Sequence, residues 1–337
     1  MATMSIAEAL RQAMREEMQR DPRVFCIGED IGVPGGFGGA FTVTLGLSDE
    51  FGHERILDTP ISETGIAGVA IGAALAGLRP IADVQYGDFL FCMMDQLANQ
   101  AAKMTYMSGG TVKVPLVMRA PVGATARGAQ HAQSLEAFFT HIPGLKVLAP
   151  STAYDAKGLL KSAVRDDNPV LIFEHKLLYG SKGPRTERGA LSPIGEVPDE
   201  EYVVPIGQGI IRREGRDVTI VGKLLTMYRA LAAAEQLAQE GIEAEVIDPR
   251  TLVPLDKELI LASVRKTGRL VVVEEDNRTG GWAADIAAIV AEEAFFWLDA
   301  PIKRVSAPDT PAPFAPVMEH FYVPSAERVV QAVKSLF

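Results

Sequence analysis

The feature that most constrains this chain is a repeated alternation of short apolar runs with stretches of helical period. Val24–Ile27, Ile81–Tyr86, Pro115–Arg119, Lys146–Ala149 and Pro169–Phe173 are short, rich in β-formers and bounded by turn residues. Segments at about 66–77, 92–107 and 153–165 read as helices between them. At the start, Ala7, Leu10, Met14 and Met18 recur at spacings of three and four, so residues 5–20 form an amphipathic helix. Strands that alternate with helices predict an α/β fold with a mostly parallel sheet covered on both faces. Val170-Leu-Ile-Phe173 is apolar without alternation, as a doubly covered central strand requires.

The alternation is interrupted once. Residues 181–205 hold Gly183, Pro184, Gly189, Pro193, Gly195, Pro198 and Pro205 among many charges, a composition that predicts a linker. A second α/β pattern follows, with strands at Val218–Val221, Ala244–Ile247 and Leu270–Val273. Its helices fall at 224–240, 257–266 and 282–296. At 337 residues the chain suits two cores better than one. The expected organisation is a domain at 1–180, a linker at 181–205 and a domain at 206–337.

Charge and composition exclude several classes. The formal net charge is −10, with no basic stripe, which disfavours nucleic acid and anionic membranes as partners. The longest small-and-apolar run, Ile66–Leu78, is too short to span a bilayer, which takes roughly 18 residues. Residues 1–20 mix Arg with Glu and match neither a secretory signal nor a transit peptide, so the expected location is the cytoplasm. Cys26 and Cys92 read as small buried thiols rather than a disulfide framework.

Three features are candidates for chemistry. The stretch Gly32-Val-Pro-Gly-Gly-Phe-Gly-Gly39 lacks the ending of a P-loop and the spacing of a dinucleotide fingerprint, and reads better as a loop. Among five histidines none forms a metal-binding spacing. A lone histidine is usually structural. His131, in the small-residue loop Gly128-Ala-Gln-His-Ala-Gln-Ser134 ahead of a helical pattern, is the one whose placement also suits proton transfer. Glu63 precedes a helix built of Gly68, Gly72, Ala73, Ala76 and Gly77, whose small residues let another backbone approach and suggest a subunit contact. From spacing alone, Glu63 reads as a charge at a helix N-terminus.

Several motifs in order resemble one family. They are Asp58-Thr-Pro-Ile-Ser-Glu-Thr-Gly65, Gly77-Leu-Arg-Pro80, Met107-Ser-Gly-Gly110, Gln130-His-Ala-Gln-Ser134, Pro143-Gly-Leu-Lys-Val147, Tyr154-Asp-Ala-Lys-Gly158, Asp167-Asn-Pro169 and Ile247-Asp-Pro-Arg-Thr-Leu252. From about residue 4 onward the chain resembles the beta subunit of the thiamine-diphosphate-dependent 2-oxo acid dehydrogenases, whose relatives act on pyruvate, acetoin or branched-chain 2-oxo acids. The resemblance implies a transketolase-like pyrimidine-binding domain followed by a transketolase C-terminal domain. It places Glu63 on the aminopyrimidine of thiamine diphosphate, with Ile61, Gln85 and Phe89 lining that ring. A carboxylate there favours the tautomer able to deprotonate the thiazolium. The resemblance also places His131 beside the thiazolium, in acyl transfer to a lipoyl group. Leu116, Ala163, Val164, Asp166 and Asn168 match positions that hold a structural potassium ion, mostly through backbone carbonyls.

One expected motif is missing. Members that hold the diphosphate carry Gly-Asp-Gly followed later by Asn, whereas this chain has Gly87-Asp88-Phe89 with no such continuation. The resemblance therefore implies that a separate alpha subunit supplies magnesium and the diphosphate half-site, in an assembly of two alpha and two beta chains. A lipoyl-bearing acyltransferase core is the further expected partner. Pyruvate is the first substrate reading, with acetoin and branched-chain 2-oxo acids as alternatives. A non-catalytic scaffold subunit and a single-chain transketolase-like enzyme are the competing accounts.

Overall fold

A computed structural model describes residues 1–33, 36, 38–180 and 194–337. The elements run β1 (Ala2–Met4), α1 (Ile6–Arg20), β2 (Val24–Glu29), α2 (Leu47–Phe51), β3 (Ile56–Thr59), α3 (Glu63–Leu75), β4 (Arg79–Asp83), α4 (Ala102–Met107), β5 (Val117–Val122), α5 (Glu136–Thr140), β6 (Lys146–Leu148), α6 (Ala153–Arg165), β7 (Val170–His175) and β8 (Gly195–Val197). They continue with β9 (Ile210–Arg213), β10 (Val218–Gly222), α7 (Leu225–Gln239), β11 (Ala244–Asp248), β12 (Thr251–Val253), α8 (Lys257–Thr267), β13 (Leu270–Asn277), α9 (Trp282–Glu293), β14 (Lys303–Ala307), α10 (Pro316–Tyr322) and α11 (Ala326–Lys334). None of the described helices is long and apolar enough to cross a membrane.

Two compact units result. The first comprises Met1–Val122 and Phe138–Ile206, the second Gly123–Ala137 and Gly207–Phe337. Residues 123–137, which the sequence assigns to the domain at 1–180, thus pack with the C-terminal unit.

In the first unit the strands lie in the order β6-β7-β5-β4-β2-β3, every pair parallel. Strands β5 and β7 are buried at every position, as the unbroken apolar run at Val170–Phe173 predicts. Helix α1 starts at a capping box in which Ser5 and Glu8 satisfy each other's backbone N–H groups. It packs against α6, where Glu16 and Glu17 pair with Lys161 and Arg165, while Met14 and Met18 lie against Cys26 of β2. The expected helix at 92–107 is broken instead into a 3-10 segment at Gly87–Met93, a π-type turn at Asp95–Ala101 and α4. Of the expected linker, residues 181–193 lie outside the described residues. The remainder is not free: β8 pairs antiparallel with β1, and Tyr202 stacks on Tyr154 at 4.5 Å. Burial of Val197 and Val204 holds this stretch down.

The second unit has the order β14-β13-β10-β11-β9, parallel except for β9. Its core joins Val218, Ile220, Val246, Val271 and Val273 of the sheet to Ala230, Ala234 and Leu237 of α7 and Val329 of α11. Helix α8 stops at Gly268, whose φ of +68° makes it the left-handed cap that the sequence signals.

Candidate active site

In an open parallel sheet, ligands bind beyond the carboxyl ends of the strands. The first unit gathers its chemistry there. Strand β2 ends in Glu29, followed by Asp30; Asp58 and Thr59 end β3; Glu63 opens α3; Gln85 follows β4. The Gln85 amide donates to the Glu29 carbonyl at 2.8 Å, and Asp58 Oδ1 accepts the Gly32 N–H at 3.2 Å. Burial raises the Glu29 carboxyl above the ordinary range, with further contributions from Asp30, Glu63 and Asp58. Four carboxylates thus share one neighbourhood.

Helix α3 begins at Glu63, three residues earlier than the sequence reading of 66–77. Glu63 is half-buried and makes no hydrogen bond or ion pair of its own among the described residues. Thr59 Oγ1 is a buried oxygen without a hydrogen-bond partner. Ile61 is 74% exposed, and Phe89 stands edge-on to Tyr86 at 5.8 Å. The 3-10 segment that carries Phe89 packs against α3, and Thr64 of that helix donates to the Cys92 carbonyl at 2.7 Å. Glu63, Ile61, Gln85 and Phe89 therefore all belong to this carboxyl-end region.

A narrow cleft beside Gln85 is lined by Gly38, Gly39, Ala40, Phe41, Val43, Asp83, Arg119, Pro121 and Tyr179. Beneath it Arg119 is buried, donating to Glu174 through Nε at 2.9 Å and Nη2 at 2.6 Å, and to Asp83. Tyr179 donates to the same Glu174 at 2.6 Å. The sequence reading missed this triad. Its signal is a charged residue in each of three mostly apolar strands, Arg119 within β5, Glu174 within β7 and Asp83 at the end of β4. Of the Gly-rich stretch 32–39, residues 34, 35 and 37 lie outside the described residues.

His131 belongs to the other compact unit. It is half-buried, and its loop is fixed by C-terminal partners. The Ala124 N–H donates to Glu275 and the Ala126 N–H to Glu319, both at 2.6 Å. Ala124 and Ala132 pack in a small core with Ala307, Ala312 and Tyr322. Helix α5 starts five residues after His131.

The potassium positions form a closed polar corner. Arg79 Nη1 donates to the Val164 carbonyl at 2.9 Å and to the Asp166 carbonyl at 3.0 Å, and Nη2 to Asp167 at 2.6 Å. The Ala163 carbonyl accepts from Asp166 N–H and the Leu116 carbonyl from Val170 N–H. The Asn168 amide is bonded to Asp166. A guanidinium already supplies positive charge here, and the Leu116, Ala163, Val164 and Asp166 carbonyls each have a donor. Among the described residues no cluster of His, Cys, Asp or Glu is arranged to hold a metal ion.

Cys26 is buried, and burial pushes its thiol up to about 12. Cys92 is exposed, contrary to the expectation of two buried thiols, because it lies on the outer side of the 3-10 segment rather than in a strand.

The chain matches the transketolase pyrimidine-binding domain over residues 2–182 and the transketolase C-terminal domain over residues 207–329. It is 48% identical to the 2-oxoisovalerate dehydrogenase subunit beta of Bacillus subtilis, covering 100% of this chain and 99% of that protein. The chain belongs to the beta-subunit family of the 2-oxo acid dehydrogenases. Within this family it is 49% identical to the acetoin:2,6-dichlorophenolindophenol oxidoreductase subunit beta of Cupriavidus necator, over 98% of this chain and 96% of that one. It is 47% identical to the pyruvate dehydrogenase E1 component subunit beta of Rickettsia felis, over 98% of each. Among solved structures it is similar to one described as split gene transketolase, inactive beta4 tetramer. That match has a TM-score of 0.76 and 26% identity, and covers 99% of this chain and 98% of the other. The transketolase-like α/β fold expected from the sequence is thus the fold of this chain.

Proposed function

We propose that this beta-subunit chain supplies the pyrimidine half of a thiamine-diphosphate site and works only when an alpha subunit supplies the rest. The observation that carries the reading is electrostatic. Glu29, Asp30, Asp58 and Glu63 cluster at the sheet's carboxyl end, and Glu63 has an acceptor to spare. Such a cluster suits a ring that donates hydrogen bonds and repels a diphosphate. The residues fit one end of the cofactor, so the diphosphate and its magnesium belong on another chain.

When bound, thiamine diphosphate supplies the electron sink that decarboxylation of a 2-oxo acid requires. In this reading Glu63 accepts a hydrogen bond at a pyrimidine nitrogen and sets which ring atom keeps its proton. Ile61 and Phe89 exclude water from the ring faces. Gln85, held by the Glu29 carbonyl, orients its edge. His131 exchanges a proton with the reacting oxygen during acyl transfer to a lipoyl group carried by an acyltransferase core. At the positions matched to structural potassium, Leu116, Ala163, Val164, Asp166 and Asn168, Arg79 already serves the Val164 and Asp166 carbonyls, which lessens the need for the ion.

The exposed face of α3 supports the two-chain reading. Gly68, Val69, Gly72 and Leu75 lie open along one side, a small apolar surface suited to close backbone approach. In an assembly of two alpha and two beta chains that surface is covered. A cytoplasmic location accords with two free cysteines, one of them exposed. The substrate proposed is a 2-oxo acid, with pyruvate first.

The test is to co-express the chain with an alpha subunit carrying the Gly-Asp-Gly motif and measure turnover of pyruvate, 2-oxoisovalerate and acetoin. Activity is expected from the pair and none from either chain. Calorimetric binding of thiamine diphosphate and magnesium to the isolated beta chain would overturn the division of the site.

A further inference from the structure

The second unit holds a buried charge cluster that the proposed chemistry does not use. Lys223 follows the last strand residue of β10. Its ammonium lies 2.9 Å from Asp276 Oδ1 and 3.1 Å from Glu136 Oε1, above the Trp282 ring at 5.8 Å. All three side chains of the ion cluster are at most 3% exposed. Glu274, two residues before Asp276 on β13, also faces this ammonium. It accepts from the Ala283 N–H at 2.6 Å and from Ser306 at 2.7 Å. Three carboxylates therefore surround one ammonium, away from water.

Such an imbalance is not tolerated with every group ionised, because unpaired buried charge is costly. A proton must stay in the cluster. Glu136 Oε2 is a buried oxygen without a hydrogen-bond partner, a place where a neutral carboxyl costs less than a charged one. Burial, and then Asp276, push Glu136 up to about 8, and burial with Asp276 pushes Glu274 up to about 7.

The position of Glu136 gives the cluster a consequence. It lies in Gly123–Ala137, the segment that carries His131, and ties that segment to Lys223 just after β10 through a buried contact. The backbone shows strain on both sides of this tie. Leu224, next to Lys223, has φ +51° and ψ −127°, and Ala126 in the loop has φ +54°. Neither is a glycine, and strain of this kind persists only where the surroundings impose it.

We propose that Lys223, Asp276 and Glu136 form a latch that seats the loop bearing His131, with Glu136 as its positioning residue. Its link to activity rests on the reading of His131 given above; the latch itself does not. Lys223 from β10, Asp276 and Glu274 from β13, and Glu136 from the loop are the charged groups involved. With its folded pKa raised, Glu136 favours the seated loop fully below the ordinary carboxylate range. That preference is lost as pH rises toward about 8.

The experiment is hydrogen exchange of peptides spanning 123–137 in the alpha–beta assembly, from pH 6 to 9, corrected for intrinsic exchange. Wild-type protection should fall with pH, by at most about tenfold per unit for one proton. Glu136→Gln keeps the hydrogen bond without the titration, so the loop should stay protected and the slope should flatten. Lys223→Met leaves buried acids without a cation and is expected to lose protection or fail to fold, so Glu136→Gln carries the test. A wild-type loop with pH-independent protection, or a Glu136→Gln variant with the wild-type slope or an unprotected loop, would overturn the latch. A flattened exchange slope with an unchanged pH profile of kcat would uphold the latch and remove His131 from the chemistry.

Discussion

Replacing Glu63 with Gln separates catalysis from folding, because the side chain has so little structural work. It lies in the first turn of α3, half-exposed, without a hydrogen bond or ion pair of its own among the described residues. Neutralising it forfeits a favourable helix-end charge, about 0.3–1 kcal/mol. The same change removes a charge that repels Glu29, which offsets part of that loss. The net effect is well under 1 kcal/mol, or a fall in Tm of less than about 4 °C for a unit of this size. The catalytic cost is of another order. A positioned acid–base group contributes about 10²–10⁴ in rate, and a hundredfold is about 2.7 kcal/mol of barrier. In the alpha–beta assembly, Glu63→Gln should therefore lower kcat at least about a hundredfold, with assembly intact and Tm within about 4 °C of the wild type. Glu29 should also titrate closer to the ordinary carboxylate range, since one of the acids raising it is gone. Decarboxylation assays with a pre-steady-state check of cofactor binding measure the first effect, and carboxyl-selective NMR the second. Wild-type turnover in the assembled variant would refute the reasoning and favour a scaffold role for the beta chain.

Other perturbations test the frame around the site. Arg119→Met strands Asp83 and Glu174 in the interior and should cost about 3–5 kcal/mol, a drop of about 1–2 M in the urea midpoint of the first unit. Stranded carboxylates prefer to be neutral, so the deficit should be smallest near the ordinary carboxylate pKa and grow as pH rises. Asp83, pushed by burial up to about 6 even beside Arg119, already shows that direction. A thiol reagent should label one cysteine of the native beta chain, Cys92, and two after denaturation, as counted by mass spectrometry. Exchange of potassium for sodium should shift Tm by less than about 1 °C, because Arg79 supplies the charge at the corner around residues 163–168; a larger fall would restore the ion.

The α/β alternation was legible because strands buried on both faces must be apolar without a break, and the helices between them must keep period 3.6. Capped ends were legible for the same local reason: Gly268 can adopt a positive φ cheaply, and the helix stops there. What escaped were features decided at long range. The segment 87–107 has helical composition, yet packing against α3 breaks it into three kinds of turn. The stretch after 193 carries prolines and charge, yet β1 recruits part of it as a strand. Residues 123–137 are bound by Glu275, Glu319 and Lys223, which lie 87 to 193 positions away in sequence.

The site divides along the same line. Local spacing left Glu63 a helix-end charge and His131 a loop histidine; the family resemblance gave both their proposed roles. The electrostatics of the folded chain support the role proposed for Glu63. A lone carboxylate at a helix start is ordinary, whereas one added to Glu29, Asp30 and Asp58 adds repulsion without a compensating partner. Such an arrangement persists when a ligand or another chain supplies the donors. An exposed apolar side of α3 beside that cluster makes both requirements meet at one surface. For the cofactor proposed, the ring end satisfies the carboxylates and the diphosphate end is driven away from them, so the missing Gly-Asp-Gly and the surplus of acids express one constraint. Placing a diphosphate cradle on this beta chain would require removing acids. Variants such as Asp58→Asn, made to admit phosphate, should weaken the pyrimidine half before they gain the other.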